Sequence, residues 1–143
     1  MTLSRWRRFA APVVVLLTGA CGVVETLARA HEPYDRFARG FIADFHQGGL
    51  PAIRQQVKPA TLRGAVEAET GFAVMHAALP SSIDSIRPRG EGEVEEGWRS
   101  GVARLHYRVY GSDRSADVDL WIEKSGKQFY AETIQIGPAI GDR

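Results

Sequence analysis

The sequence predicts an α+β fold, with N-terminal helices packed on one face of a curved antiparallel sheet of about four strands. Two observations carry this. Between residues 34 and 79 apolar side chains recur at three- and four-residue spacing, the period of a helix face. From Ile83 onward the pattern changes to alternation, the period of a half-buried strand. Helices grouped ahead of strands, rather than interleaved with them, place the two kinds of element in separate layers.

The chain begins with an export signal over residues 1–20. Arg5, Arg7 and Arg8 form a positive flank, and residues 9–24 carry no charge. This run is shorter than the roughly 20 residues of a comfortable membrane span. "LTGAC" then brings small residues up to Cys21, the only cysteine of the chain. Small side chains let a membrane peptidase approach the backbone, and the thiol can accept a diacylglyceryl group. Ala28-Arg29-Ala30 offers a second site, where an ordinary signal peptidase would release a domain starting at His31 and discard Cys21. An uncleaved anchor is a third outcome. All three put the domain outside the cytoplasm.

Residues 21–32 read as a tether, and residues 33–143 as one domain long enough to bury a real core. Taking Arg5, Arg7 and Arg8 from the 18 basic residues leaves 15 against 17 acidic ones. That near-neutral balance gives no reason to expect nucleic acid as a partner. Without Cys21 the domain has no disulfide and no thiolate metal site.

The first helix is expected to start at Pro33, a residue suited to the first helical position. Tyr34, Phe37, Ala38, Phe41, Ile42 and Phe45 form its apolar face, with Asp35, Arg36, Arg39 and Asp44 opposite. Gly48 and Gly49 stop it. A shorter piece from Pro51 to Pro59 turns Leu50, Ile53 and Val57 one way. A third helix over 62–79 buries Phe72, Met75 and Leu79, with Gly71 as a possible break and Pro80 as its end.

Residues 83–95 read as an irregular edge strand or bent ribbon, because Pro88, Gly90 and Gly92 interrupt it. Its acidic run "EGEVEE" suits a solvated edge. "VARLHYRVY" and "SADVDLWIE" alternate, joined by the turn "GSDR". Pairing Tyr110 with Ser115 sets Leu105 opposite Leu120 and Tyr107 opposite Val118 on the inner face. It also sets Arg108 opposite Asp117, His106 opposite Asp119 and Arg104 opposite Trp121 on the outer face. Each such pair contributes about 0.2–1 kcal/mol, and a one-residue slip would bury the charges. A turn around Ser125-Gly126 leads into the last strand. The expected register there puts Ile122 opposite Phe129, Leu120 opposite Ala131 and Trp121 opposite Tyr130.

The aromatic first helix "YDRFARGFIADF", the "GGLPAI" break, the helix "GFAVMHAALP" and the closing strands resemble the cone-shaped cystatin-like, or nuclear transport factor two-like, superfamily. The likeness spans residues 33–136 and is closest to small bacterial envelope members of unassigned function. "LTGAC" likewise resembles a lipobox, with Thr18 where a leucine is usual. Gly22 rather than aspartate after the cysteine implies an outer-membrane lipoprotein facing the periplasm. In the superfamily, helices and sheet enclose a pocket. Some members are isomerases or dehydratases with an acid or histidine base and a tyrosine inside it, and others only bind.

The pocket candidates are Tyr107, His76, Phe41 and Phe72. No metal-ligand spacing joins the four histidines, and no phosphate loop or nucleophile elbow occurs, so no cofactor, metal or catalytic residue is assigned. His106 beside Asp119 reads as a surface pair. Tyr107 points inward, most simply as a core tyrosine satisfied by a helix. Asp117, Asp119, Glu123 and Glu132 fall outside, which leaves no base in the cavity. Trp121, Tyr130, Arg104, Ile134 and Ile136 are expected on the outer face, as a surface for a second copy or an envelope partner unless the C-terminal tail or the chain near the N-terminus covers it. The function these features imply is a non-catalytic, lipid-anchored envelope protein that binds a partner protein or a small apolar ligand. The alternative is a cavity enzyme of isomerase or hydrolase type using His76 or Tyr107.

Overall fold

A computed structural model describes the backbone of residues 11–141 and the side chains of residues 31–64 and 67–141. Arg5, Arg7 and Arg8 of the expected export signal lie outside the described residues, and Cys21 and Ala30 outside the described side chains. The described part is α+β, with helices on one face of a five-stranded antiparallel sheet.

Helix α1 spans Ala11–Ile53. It does not start at Pro33 as its sequence suggested. The proline forfeits one backbone hydrogen bond, and the helix continues through it. The break comes at Gly49, whose φ of 64° and ψ of −155° no other residue adopts cheaply. Two short 3-10 turns follow, Arg54–Gln56 and Pro59–Leu62. Between them Val57 forms a parallel bridge with Ala131, and the Lys58 N–H donates to the Ala131 carbonyl at 2.9 Å. Helix α2 spans Ala65–Ala78 without a break at Gly71. Phe72 and Leu79 are buried beneath it, and that anchorage outweighs the roughly 1 kcal/mol that a mid-helix glycine costs.

Strands β1 (Ser85–Pro88) and β2 (Glu93–Glu96) both pair with β3 (Ser100–Tyr110). They form one edge strand interrupted over residues 89–92, at the glycines and proline that foretold it. Strand β4 (Ser115–Ser125) pairs with β3 in the predicted register along its whole length. Strand β5 (Gln128–Pro138) completes the sheet. The "GSDR" turn closes as expected, with the Gly111 N–H donating to the Arg114 carbonyl at 3.0 Å.

The β4–β5 register differs from the expected one. The turn centres on Gly126 and Lys127, so Ile122 faces Ala131 and Glu123 faces Tyr130. A bulge then lets Glu132 stand unpaired, and Trp121 faces Thr133. Two consequences correct the sequence reading. Trp121 and Tyr130 are not opposite each other. Ile134 and Ile136, opposite Leu120 and Val118, turn inward and pack on the core. The physical reason lies in spacing. Ala131 and Ile134 are three residues apart, and a regular strand would send them to opposite faces. One extra residue brings both inward. The Lys58 and Thr61 contacts at Ala131 and Glu132 hold the bulge from the strand's open side.

Between the layers the space is filled by aromatic rings. Tyr34 meets Phe129 edge-on at 5.1 Å, Phe37 stacks on Phe129 at 5.8 Å, Phe41 and Phe45 follow along α1, and Phe45 meets Phe72 of α2. Such pairs contribute about 0.5–1.5 kcal/mol each beyond their buried area. Helix α1 runs along the sheet from the end holding the β2–β3 and β4–β5 tips, where Tyr34 packs beside Gly101. It reaches the β3–β4 turn end, where the His46 Nε2 and the Pro80 carbonyl are 2.9 Å apart.

Candidate functional site

Among the described residues, two surface recesses could take up a small molecule. The larger, about 410 Å³, opens where the edge strand is interrupted. Beside this interruption β3 lines the opening with Leu105, His106 and Tyr107, and α1 lines the facing wall with His31, Glu32, Asp35 and Arg39. At its floor the Tyr107 hydroxyl donates to Asp35 Oδ1 at 2.8 Å, and Arg39 Nε donates to Asp35 Oδ2 at 2.8 Å. The other end of the guanidinium donates to the Ile86 carbonyl at 2.7 Å and lies 5.6 Å from the centre of the Tyr107 ring. Tyr107 is therefore the helix-satisfied tyrosine that its inward register suggested. Burial, then the Asp35 hydrogen bond and charge, push its hydroxyl far above the ordinary value of 10.0. The phenol stays protonated and acts as a donor.

Asp35 is what the sequence reading missed. Its i, i+4 spacing to Arg39 was visible as a helix-surface pair. Its reach to Tyr107, 72 residues away, depends on how α1 crosses the sheet. The absence of a carboxylate near Tyr107, expected from the strands alone, is thus corrected by a helix residue. His106 borders the same opening from the outer side. Its Nδ1 lies 2.6 Å from Asp119 Oδ1, which Arg89 also contacts at 3.2 Å.

The smaller recess, about 310 Å³, lies between the end of α1 and α2. Leu50, Pro51, Phe72 and Ala73 form apolar walls, and Arg54, Glu69 and His76 stand at its margin. His76 is exposed and lies with its Nε2 3.0 Å from the His46 carbonyl. The four pocket candidates are therefore not brought together. Tyr107 lines one recess, and His76 and Phe72 line the other. Phe41 is 1% exposed and belongs to the core between them.

On the outer face, Arg104 lies 4.4 Å over the Trp121 ring, which stays 39% exposed. Tyr130 is half-buried and donates to Gln128 Oε1. Ile134 is not part of this surface. Toward the other end Arg108 donates from Nε to Asp117 Oδ1 at 2.8 Å and from Nη2 to the Ile140 carbonyl at 2.9 Å. The Arg108 hydrogen bond holds the Asp117 carboxyl below its ordinary range. The tail thus touches the Asp117 end of the outer face, and its Ile140 side chain remains 86% exposed.

Among the described residues, no three His, Cys, Asp or Glu side chains are placed to hold a metal ion. Among them, also, no helix is long and apolar enough to cross a membrane. No known protein family, no curated protein and no solved structure matches this chain.

Proposed function

We propose that this chain is a non-catalytic protein of the cell envelope, lipid-anchored at Cys21, whose domain binds a partner protein or a small apolar ligand. The observation that supports it best is the filled interior. The space between helices and sheet, where enzymes of the resembled superfamily keep a reaction cavity, holds Tyr34, Phe37, Phe41, Phe45 and Phe129 in contact. What is left for binding lies at the surface: the apolar recess beside Phe72 and the Arg104–Trp121 patch. In the Tyr107 cleft both Asp35 oxygens already accept hydrogen bonds from within the chain.

A second reading, a cavity enzyme of isomerase or hydrolase type, has one observation in its favour. Asp35 and Tyr107 form a carboxylate–hydroxyl pair at the floor of an open cleft, within reach of a bound molecule.

Native mass spectrometry of the full chain, extracted gently from membranes, tests both. A dimer, a bound partner or a co-eluting apolar molecule is expected. Trp121→Ser with Arg104→Ser should remove a protein partner, and Phe72→Ser should remove a small ligand. A bare monomer that turns over an isomerase or esterase substrate, and loses that turnover on Asp35→Asn, would reverse the choice.

A further inference from the structure

The most exposed large hydrophobic side chain among the described residues is Trp98, at 96%. It sits at the tip of the β2–β3 hairpin, in a turn closed by the Gly97 N–H donating to the Ser100 carbonyl at 2.7 Å. The guanidinium of Arg99 lies 5.5 Å from the Trp98 ring centre. The β4–β5 tip stands beside it, because the Gly126 N–H donates to the Arg99 carbonyl at 3.1 Å. Lys127, also exposed, belongs to that second tip. One rung back, Lys124 lies 3.4 Å from Glu96, and Glu95 faces the outer side opposite Val102. At the tips themselves the charges are Arg99 and Lys127.

This is also the end where α1 enters the fold. Tyr34 packs against Gly101, three residues from Trp98, and on Phe129, two residues from Lys127. His31 stands beside Gly92, one helical turn before Tyr34, so the chain before it joins the domain on the half of the sheet that carries the tips. A tryptophan flanked by cations is the composition found at membrane–water interfaces, where the indole keeps its N–H wet and its ring dry. Cys21 lies ten residues before His31 in α1, about 15 Å along the helix, and Trp98 stands about 10 Å beyond the level of Gly101. An anchor at that distance lets the tips touch the surface as the domain leans.

We infer that the paired tips, residues 97–99 and 126–127, rest on an anionic bilayer surface, with Trp98 at headgroup depth and Arg99 and Lys127 against lipid phosphates. The inference rests on the proposed anchoring at Cys21. It gives the domain a fixed orientation, with the β3–β4 turn end pointing away from the membrane.

The test uses the full, anchored chain with Trp6→Phe and Trp121→Phe, so that Trp98 is the sole tryptophan. It is reconstituted on vesicles of phosphatidylethanolamine with phosphatidylglycerol. Trp98 emission should shift to the blue, be quenched by lipids brominated near the headgroup, and be shielded from aqueous iodide. Arg99→Glu with Lys127→Glu should reverse all three, and pure phosphatidylcholine should weaken them. Each cation lost should lower contact about fivefold. Vesicle-bound protein whose Trp98 is open to iodide and untouched by the bromolipid would overturn the tip contact and leave the anchor standing. Protein that does not float with the vesicles would overturn both. Quenching unchanged in the double-glutamate variant would overturn the headgroup contact.

Discussion

Tyr107 and Tyr34 show how single side chains are set by where α1 lies on the sheet. Tyr107 is 2% exposed and donates a hydrogen bond to a carboxylate. Tyr34 is fully buried, and its hydroxyl meets no partner in hydrogen-bonding geometry, though the Glu96 carboxylate is close to it beside Gly101. A Cβ on Gly101 would collide with that hydroxyl, which is why glycine stands mid-strand there. Burial first, then the Glu96 charge, push Tyr34 up to about 12, and Tyr107 moves in the same direction. Both phenols thus ionise more readily in the unfolded chain, at their ordinary value of 10.0. Their contribution is complete below that value and is lost as pH rises through it toward the folded values. Urea unfolding between about pH 8 and 12 should therefore show stability falling from about pH 10. The slope should flatten in Tyr34→Phe with Tyr107→Phe, and an identical slope in that variant would refute the assignment. At neutral pH, Tyr107→Phe alone should cost about 1–3 kcal/mol, the range for a hydrogen bond to a charged group.

Strand β5 carries the main lesson at the scale of elements. Its bulge at Glu132 decides that Ile134 and Ile136 pack on the core and that Trp121, under Arg104, faces Thr133 rather than Tyr130. Ile134→Ser should then cost about 1–3 kcal/mol in unfolding free energy. Trp121→Ser, on a half-exposed ring with one stacked cation, should cost at most about 1 kcal/mol. Equal and mild losses in the urea midpoint would mean that Ile134 faces outward and the bulge is misplaced. The β3–β4 register was legible because charges, an indole and apolar residues all agreed on one pairing. The β4–β5 register was not, because a strand's alternation cannot announce an extra residue. That residue is held by Lys58 and Thr61, which lie about 70 positions earlier in the chain.

The whole molecule is organised by its entry point. The described domain is closed by α1 and α2 on one face, and its free surface is shared among the Tyr107 cleft, the Phe72 recess, the Trp121 face and the Trp98 tips. In the function proposed above, an N-terminal anchor at Cys21 brings these surfaces to a partner. Cys21→Ser should move the protein from the membrane fraction to the soluble fraction, or leave it as an unprocessed precursor. Labelled fatty acid should enter only the unsubstituted chain. If both proteins instead begin at His31 and stay soluble, lipidation is excluded and cleavage after Ala30 takes its place.

Period and punctuation in the sequence determined the fold class, the β3–β4 register, the interrupted edge strand and most of the core. These follow from neighbours within a few residues, or from one strand and the next, where spacing alone fixes which face is buried. The sequence also predicted an inward Tyr107 satisfied by a helix. Tertiary structure alone decided which helix residue satisfies it, where the cleft opens, and that Phe72 and His76 line a different recess. It also decided that the interior is packed with rings rather than hollow. Each of these depends on how α1 crosses the sheet and where β5 bulges. Those are properties of contacts between residues about 70 positions apart, which no local period encodes.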